Sequence, residues 1–270
     1  MLRQSHVTGG GMYMSRIKNA LKKGENAFIG FLTGGDPSLE KSLEFILEME
    51  AAGADIIEIG IPFSDPVAEG PVIQAANIRA LENGVTVCDI FGLVGKVREK
   101  SEIPLVLLTY LNPVYHFGYD AFFKECEGVG IDGIIIPDLP FEESGEVGGI
   151  AEAYGVDLIS LITPASHERV EMIAKNAKGF LYFVSSMGVT GVRGKIETDI
   201  KSVIDSVRKV SDIPVAIGFG ISRAEQAAEL SRHADGIIIG SAIVKIIEKH
   251  RDNAGKYLHD YIKEIKTAIN

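Results

Sequence analysis

A chain of 270 residues is long enough for one large domain or two small ones, and closed barrels of alternating strands and helices typically need about 250. Its 46% apolar and 24% charged residues are ordinary for a globular protein with a sizeable core. With 27 basic against 37 acidic residues the net charge is −10, which argues against a nucleic-acid or anionic-membrane partner but not against a local trap for one small anion.

Cys88 and Cys126 form no CxxC pair, and the six histidines show neither HExxH spacing nor companion carboxylates, so no disulfide framework or metal site is expected. No apolar run approaches the roughly 18 residues of a membrane span, and the N-terminus lacks the apolar stretch of a signal peptide, so a cytoplasmic protein is expected. Residues 1–11 (MLRQSHVTGGG) read as a disordered leader, with Met12 or Met14 as a second possible start and one domain over 12–270.

In chain order, short apolar runs predict strands at Ala27–Thr33, Asp55–Ile61, Pro104–Tyr110 and Gly133–Pro137. More follow at Val156–Ile162, Phe180–Ser185, Pro214–Gly218 and Gly236–Ile239. They are continuously apolar rather than alternating, as parallel strands covered on both faces are. Helical periodicity fills the intervals, for example over Leu39–Ala52, where Leu43, Ile46 and Leu47 trace a stripe. Eight strand–helix units without a linker predict a single (β/α)8 TIM barrel. One interval is too long: strands two and three lie roughly fifty residues apart, and the excess, Ser64–Gly84, predicts a long loop on the catalytic face.

Polar residues at strand ends mark a site. Glu58, inside Ile56-Ile57-Glu58-Ile59-Gly60, is costly to bury unless it works or is paired, and apolar neighbours should raise its pKa toward the range useful for proton transfer. Its alternative is a structural carboxyl bonded to nearby backbone. Asp138, between Pro137 and Pro140, reads preferably as a loop-stabilising carboxylate.

Three glycine clusters close the last strands: Gly188–Gly191 (GVTG), Gly218-Phe219-Gly220 and Gly240-Ser241. Glycines let backbone amides approach an anion, and barrels often hold a phosphate in these loops at the start of a short extra helix. Ser241–Ile247 fits that helix, with the main last helix near Gly255–Ile269. Neither a Walker loop nor a dinucleotide fingerprint is present: Ile196 stands where Ser or Thr is needed, and the Gly218 cluster lacks a third glycine.

The stretch Ile57–Pro71 (IEIGIPFSDPVAEGP) resembles the signature of tryptophan synthase α subunits. Phe31–Pro37 (FLTGGDP), Thr109–Val114 (TYLNPV), Pro137–Ser144 (PDLPFEES), GVTG, Gly218–Ser222 (GFGIS) and Gly240–Val244 (GSAIV) follow the family in order. The resemblance runs from about Met14 to the C-terminus. It implies a lyase of aromatic amino acid (tryptophan) biosynthesis, which splits indole-3-glycerol phosphate into indole and glyceraldehyde 3-phosphate by a retro-aldol reaction. Indole then passes to a β subunit in an α2β2 heterotetramer. It further implies that pyridoxal phosphate belongs to that β subunit and that this chain holds no cofactor.

Residue by residue, the resemblance makes Glu58 the acid/base, Glu69 the carboxylate facing the indole nitrogen, and Tyr182 an active-site tyrosine. Phe31, Leu108 and Ile135 match the indole pocket. Gly191, Phe219, Gly220, Gly240 and Ser241 match the phosphate site, and Pro62, Asp65 and Asn112 match the contact with β. One position departs: the family commonly has aspartate where this chain has Glu69. Two other readings stay open, a different phosphate-binding barrel enzyme of thiamine or aromatic biosynthesis, and a catalytically weak subunit whose main role is to activate a β partner.

Overall fold

The computed structural model describes residues 15–22, 24–166, 169–184, 193–218 and 220–270, with 193–199 described by their backbone alone. The elements are, in order, α1 (Arg16–Ala20), β1 (Ala27–Thr33), α2 (Leu39–Ala51), β2 (Ile56–Gly60), α3 (Pro71–Glu82), α4 (Val87–Arg98) and β3 (Leu105–Leu108). They continue with α5 (Leu111–Phe117), α6 (Tyr119–Val129), β4 (Gly133–Ile135), α7 (Ser144–Ala153), β5 (Asp157–Leu158), β6 (Ser160–Ile162), α8 (Val170–Asn176) and β7 (Leu181–Val184). The last are α9 (Arg193–Arg208), β8 (Val215–Gly218), α10 (Ala224–Leu230), β9 (Gly236–Ile239), α11 (Ser241–His250) and α12 (Ala254–Ile269).

All strand pairings are parallel, in the order β5-β4-β3-β2-β1-β9-β8-β7-β6. Only Ile159 separates β5 from β6, so they are two halves of one strand, the first pairing with β4 and the second with β7. The nine strands therefore form an eight-membered (β/α)8 barrel, as the spacing predicts.

Alternation along each strand sorts the side chains between two cores. Ala27, Ile29, Ile56, Val106, Ile135, Ile159, Ala216 and Ile238 point inward and fill the barrel, and Ile17 and Leu21 from the α1 region join them. Leu32, Ile57, Ile59, Leu107, Phe183 and Ile237 point outward beneath the helices. On α2 the buried face is Ser42, Phe45, Ile46 and Met49, rotated from the expected stripe, because Leu43 and Leu47 sit half-exposed at its flank. Ser38 caps this helix, its hydroxyl accepting from the Lys41 amide at 3.1 Å.

The long interval after β2 is not all loop. Its second half folds as α3, with Pro71 at the first turn, where its missing N–H costs nothing. A second unexpected helix, α5, follows β3. The Asp138 carboxylate accepts from the Leu111 amide at the start of α5 (2.9 Å), which is the loop-stabilising role read from its proline neighbours.

At the N-terminal end of the barrel the charged residues serve stability. Arg98 donates to the carbonyls of Gly130 (2.9 Å) and Ile103 (2.6 Å) and to Asp132 (2.7 Å), which also accepts from Arg16 (3.0 Å) and the Leu105 amide (2.9 Å). Both members of the pair are nearly buried, so removing one strands a charge and several carbonyls. Arg98→Met should lower unfolding free energy by about 3–5 kcal/mol in urea titration. The turnover of the remaining folded protein should hold, since this end of a barrel carries no chemistry.

Candidate active site

Glu58 sits on β2 between Phe31 of β1 and Val106 of β3, and shares the inward face with Ile56. It is 1% exposed, and its Oε1 has no hydrogen-bond partner among the described residues. Loss of water alone raises its pKa to about 8, so the carboxyl carries its proton at neutral pH. The backbone-bonded alternative finds no support in this geometry. Tyr182 on β7 also faces the interior, and both burial and the nearby Glu58 charge push its hydroxyl well above its ordinary value. Its ring reaches across to β8: a Cβ at Gly218 would stand 2.5 Å from the Tyr182 hydroxyl, so glycine there makes room for it.

Phe31, Leu108 and Ile135 come together at the mouth of the barrel. Leu108 packs both against the inner core that contains Ile135 and against a small cluster of Phe31, Ala76 and Val244. The Phe31 ring is held between Gly60 and Gly240, where added Cβ atoms would lie 2.8 and 3.2 Å from it. Ala76, Val72 and Ile73 bring the first turns of α3 into the same cluster, so α3 starts over the barrel mouth.

Glu69 immediately precedes the N-cap of α3, Gly70. Its Oε2 accepts from Asn77 Nδ2 at 2.7 Å, its carbonyl accepts from Gln74 Nε2 at 2.8 Å, and the Tyr110 hydroxyl lies beside its carboxylate. The Tyr110 hydroxyl in turn accepts from the Ala68 amide at 3.1 Å, and Phe63 packs on its ring with centroids 5.2 Å apart. Burial raises the Glu69 pKa, opposed by the bond from Asn77 and by the nearby Tyr110 hydroxyl. Burial also lifts the Tyr110 hydroxyl to about 12. Asn77 and Tyr110 were not singled out in the sequence. The signal for Asn77 is a polar residue at a buried helix position, 2% exposed between Ala76 and Ala80.

Of the phosphate candidates, Gly240 caps α11 and Ser241 is its first residue, exposed. The first helical amide returned to the chain is that of Val244, to Gly240 O (3.0 Å), and the amides of the turn before it point, as at any helix N-terminus, where an anion could meet them. Gly220 is exposed, with φ +76. Gly191 and Phe219 lie outside the described residues. Of the partner candidates, Asp65 and Asn112 are exposed, whereas Pro62 is buried.

A family model described as tryptophan synthase alpha chain matches residues 17–269. The chain belongs to the tryptophan synthase alpha chain family. It is 44% identical over 259 residues to the tryptophan synthase alpha chain of Lacticaseibacillus casei, covering 96% of this chain and 97% of that one. The crystal structure of the tryptophan synthase alpha chain from Legionella pneumophila subsp. pneumophila matches with a TM-score of 0.85 at 32% identity, over 95% of this chain and 97% of that one. A chain of the tryptophan synthase α2β2 complex from Pyrococcus furiosus matches with a TM-score of 0.81 at 37% identity, over 89% and 98%. Within the tryptophan synthase alpha chain fold, the inward carboxyl on β2 and the α11 N-terminus both lie on the face where barrel enzymes build their sites. Among the described residues no helix is long and apolar enough to cross a membrane, and no group of three or more His, Cys, Asp or Glu could hold a metal ion.

Proposed function

We propose that this chain is the α subunit of a tryptophan synthase, working in the cytoplasm as one barrel domain over 12–270 and splitting indole-3-glycerol phosphate into indole and glyceraldehyde 3-phosphate. The observation that carries the reading is Glu58: a buried carboxyl, one oxygen without a partner among the described residues, in an apolar interior that raises its pKa to about 8.

The chemistry needs this arrangement. Glu58 gives its proton to C3 of the indole ring, which places a positive charge on the ring nitrogen. The resulting carboxylate then takes the proton of the glycerol hydroxyl next to C3. As that O–H bond breaks, the C–C bond to C3 breaks with its electrons returning to the ring, and the oxygen forms the aldehyde. Indole and glyceraldehyde 3-phosphate result, and Glu58 ends protonated as it began. Glu69, held by Asn77, faces the nitrogen and stabilises its transient charge. Phe31, Leu108 and Ile135 flank the flat ring, Tyr182 stands beside Glu58, and Gly220, Gly240 and Ser241 supply amides to the phosphate together with Gly191 and Phe219. Pyridoxal phosphate belongs to the β partner in this reading.

Release of indole from indole-3-glycerol phosphate, with and without a β subunit, tests the function. Absence of indole in both would sink it, and release only with β would make the chain chiefly an activator. Docking of β fits the catalytic face, where Val67 and Tyr115 stand 78% and 68% exposed near Asp65 and Asn112. Asp65→Ala should therefore weaken activation by β several-fold while basal cleavage changes less than about twofold. Equal losses in the two assays would make Asp65 an ordinary site or folding residue.

A further inference from the structure

The far end of α3 is fastened more firmly than a surface helix needs. Arg79 donates through Nε and Nη2 to both oxygens of Asp36 (2.9 and 2.7 Å), a carboxylate only 1% exposed in the turn after β1. Its remaining Nη1 reaches Glu248 on α11 at 3.1 Å. Asn83, at the C-cap of α3, donates to the Pro37 carbonyl at 2.8 Å, and Gly35 lies against Val85 closely enough that a Cβ would meet it at 2.5 Å. The two helices joined by Arg79 carry candidate groups at their other ends, Glu69 before α3 and Ser241 at the start of α11.

We propose that Arg79 is a positioning residue: its two-pronged bond to Asp36, extended to Glu248, fixes where α3 lies along its axis and so where the Glu69 carboxylate stands over the barrel mouth. The charge and the fork are both required. A buried carboxylate needs a cation, and a planar guanidinium satisfies both oxygens while leaving a third donor for α11. Asn77, two residues before Arg79 on the same helix, transmits the placement by holding Glu69. The kinetic part of this inference rests on the function proposed for Glu69; the placement of Glu69 does not.

The test uses the full chain. Removing Arg79 alone leaves the buried Asp36 with only the half-exposed Arg251, whose Nη1 stands 4.0 Å away, so the pair is replaced together as D36N/R79Q, with R79K as the milder variant that keeps a charge but loses the fork. Circular dichroism and thermal melting confirm folding. In D36N/R79Q, kcat for indole release should fall by about tenfold or more, with KM within about threefold, because a shift of roughly 1 Å in a catalytic group is expensive while substrate contacts remain. R79K should fall in the same direction by less. In an E69Q background, D36N/R79Q should cost less than about a further twofold. Carboxyl NMR titration of Glu69, assigned by its loss in E69Q, gives a reading that needs no substrate: its pKa should drop toward the ordinary glutamate value as α3 slips and the group meets water. An unshifted Glu69 titration in folded D36N/R79Q overturns the inference, as does an equal fold-loss of kcat in both backgrounds. A wild-type chain that releases no indole refutes the proposed function instead, and the titration still decides the placement of Glu69.

Discussion

Replacing Glu58 by glutamine should lower turnover of indole-3-glycerol phosphate by a factor of about 10²–10⁴, the usual worth of a positioned acid/base. Glutamine keeps the shape of the side chain and most of its contacts, so KM should change little. The pH dependence supplies a second signature. The wild-type reaction starts with a protonated carboxyl, so kcat should fall as pH rises through about 8, and the residual activity of Glu58→Gln should lose that limb. Stability carries the same fingerprint. Between the ordinary value of 4.5 and about 8 the folded chain holds a proton on Glu58 that the unfolded chain has released. Wild-type stability relative to Glu58→Gln should therefore be greatest at low pH and decline by about 1.4 kcal/mol per pH unit across that window. Urea titrations of both proteins at pH 4.5, 7 and 9 measure it. Near-wild-type turnover in the variant, or a stability difference that ignores pH, would remove Glu58 from the mechanism.

The barrel was legible because its strands are buried on both faces. The predicted Ala27–Thr33 and Gly236–Ile239 coincide with β1 and β9. Other strands come out shorter than their apolar runs, since Tyr110 and Ile136 are buried beyond the last paired residues of β3 and β4. Apolarity reports burial, not hydrogen bonding. The same limit hid α3, whose buried face is Ala76, Asn77 and Ala80: small and polar residues leave a faint stripe, and the segment read as loop. Within the site, Glu58 was visible because a lone carboxylate in Ile56–Gly60 violates the pattern around it. Tyr110 was not, because an aromatic at the end of an apolar run looks like core. Its bond to Ala68 joins residues 42 apart in sequence, which no local pattern encodes. Asp36 and Arg79 are likewise 43 residues apart and individually ordinary.

Glu69→Ala should cost about 10²-fold or more in cleavage, as removal of a charge-stabilising group at a buried site does. Tryptophan synthase alpha chains commonly carry aspartate here, and the extra methylene displaces a carboxylate by roughly 1 Å or more if the backbone stays put. Two arrangements were open: a loop that retreats to compensate, or a glutamate turned out to solvent with no catalytic role. The packing favours the first. The carboxylate is half-buried, takes a bond from Asn77 and lies beside Tyr110, its carbonyl is tethered by Gln74, and the helix that follows it packs into the Phe31 cluster of the pocket. A solvent-facing glutamate would have none of these partners and no burial-raised pKa. Three variants separate the alternatives. Glu69→Gln, which keeps length but not charge, should lose nearly as much as alanine. Glu69→Asp should lose less, because it keeps the charge but draws the carboxylate back from Asn77 and from the ring nitrogen. Asn77→Ala should fall between wild type and Glu69→Gln, the carboxylate remaining but free to swing. If instead alanine at position 69 changes cleavage by only two- or threefold, the carboxylate is ornamental to the chemistry and Glu58 acts without it.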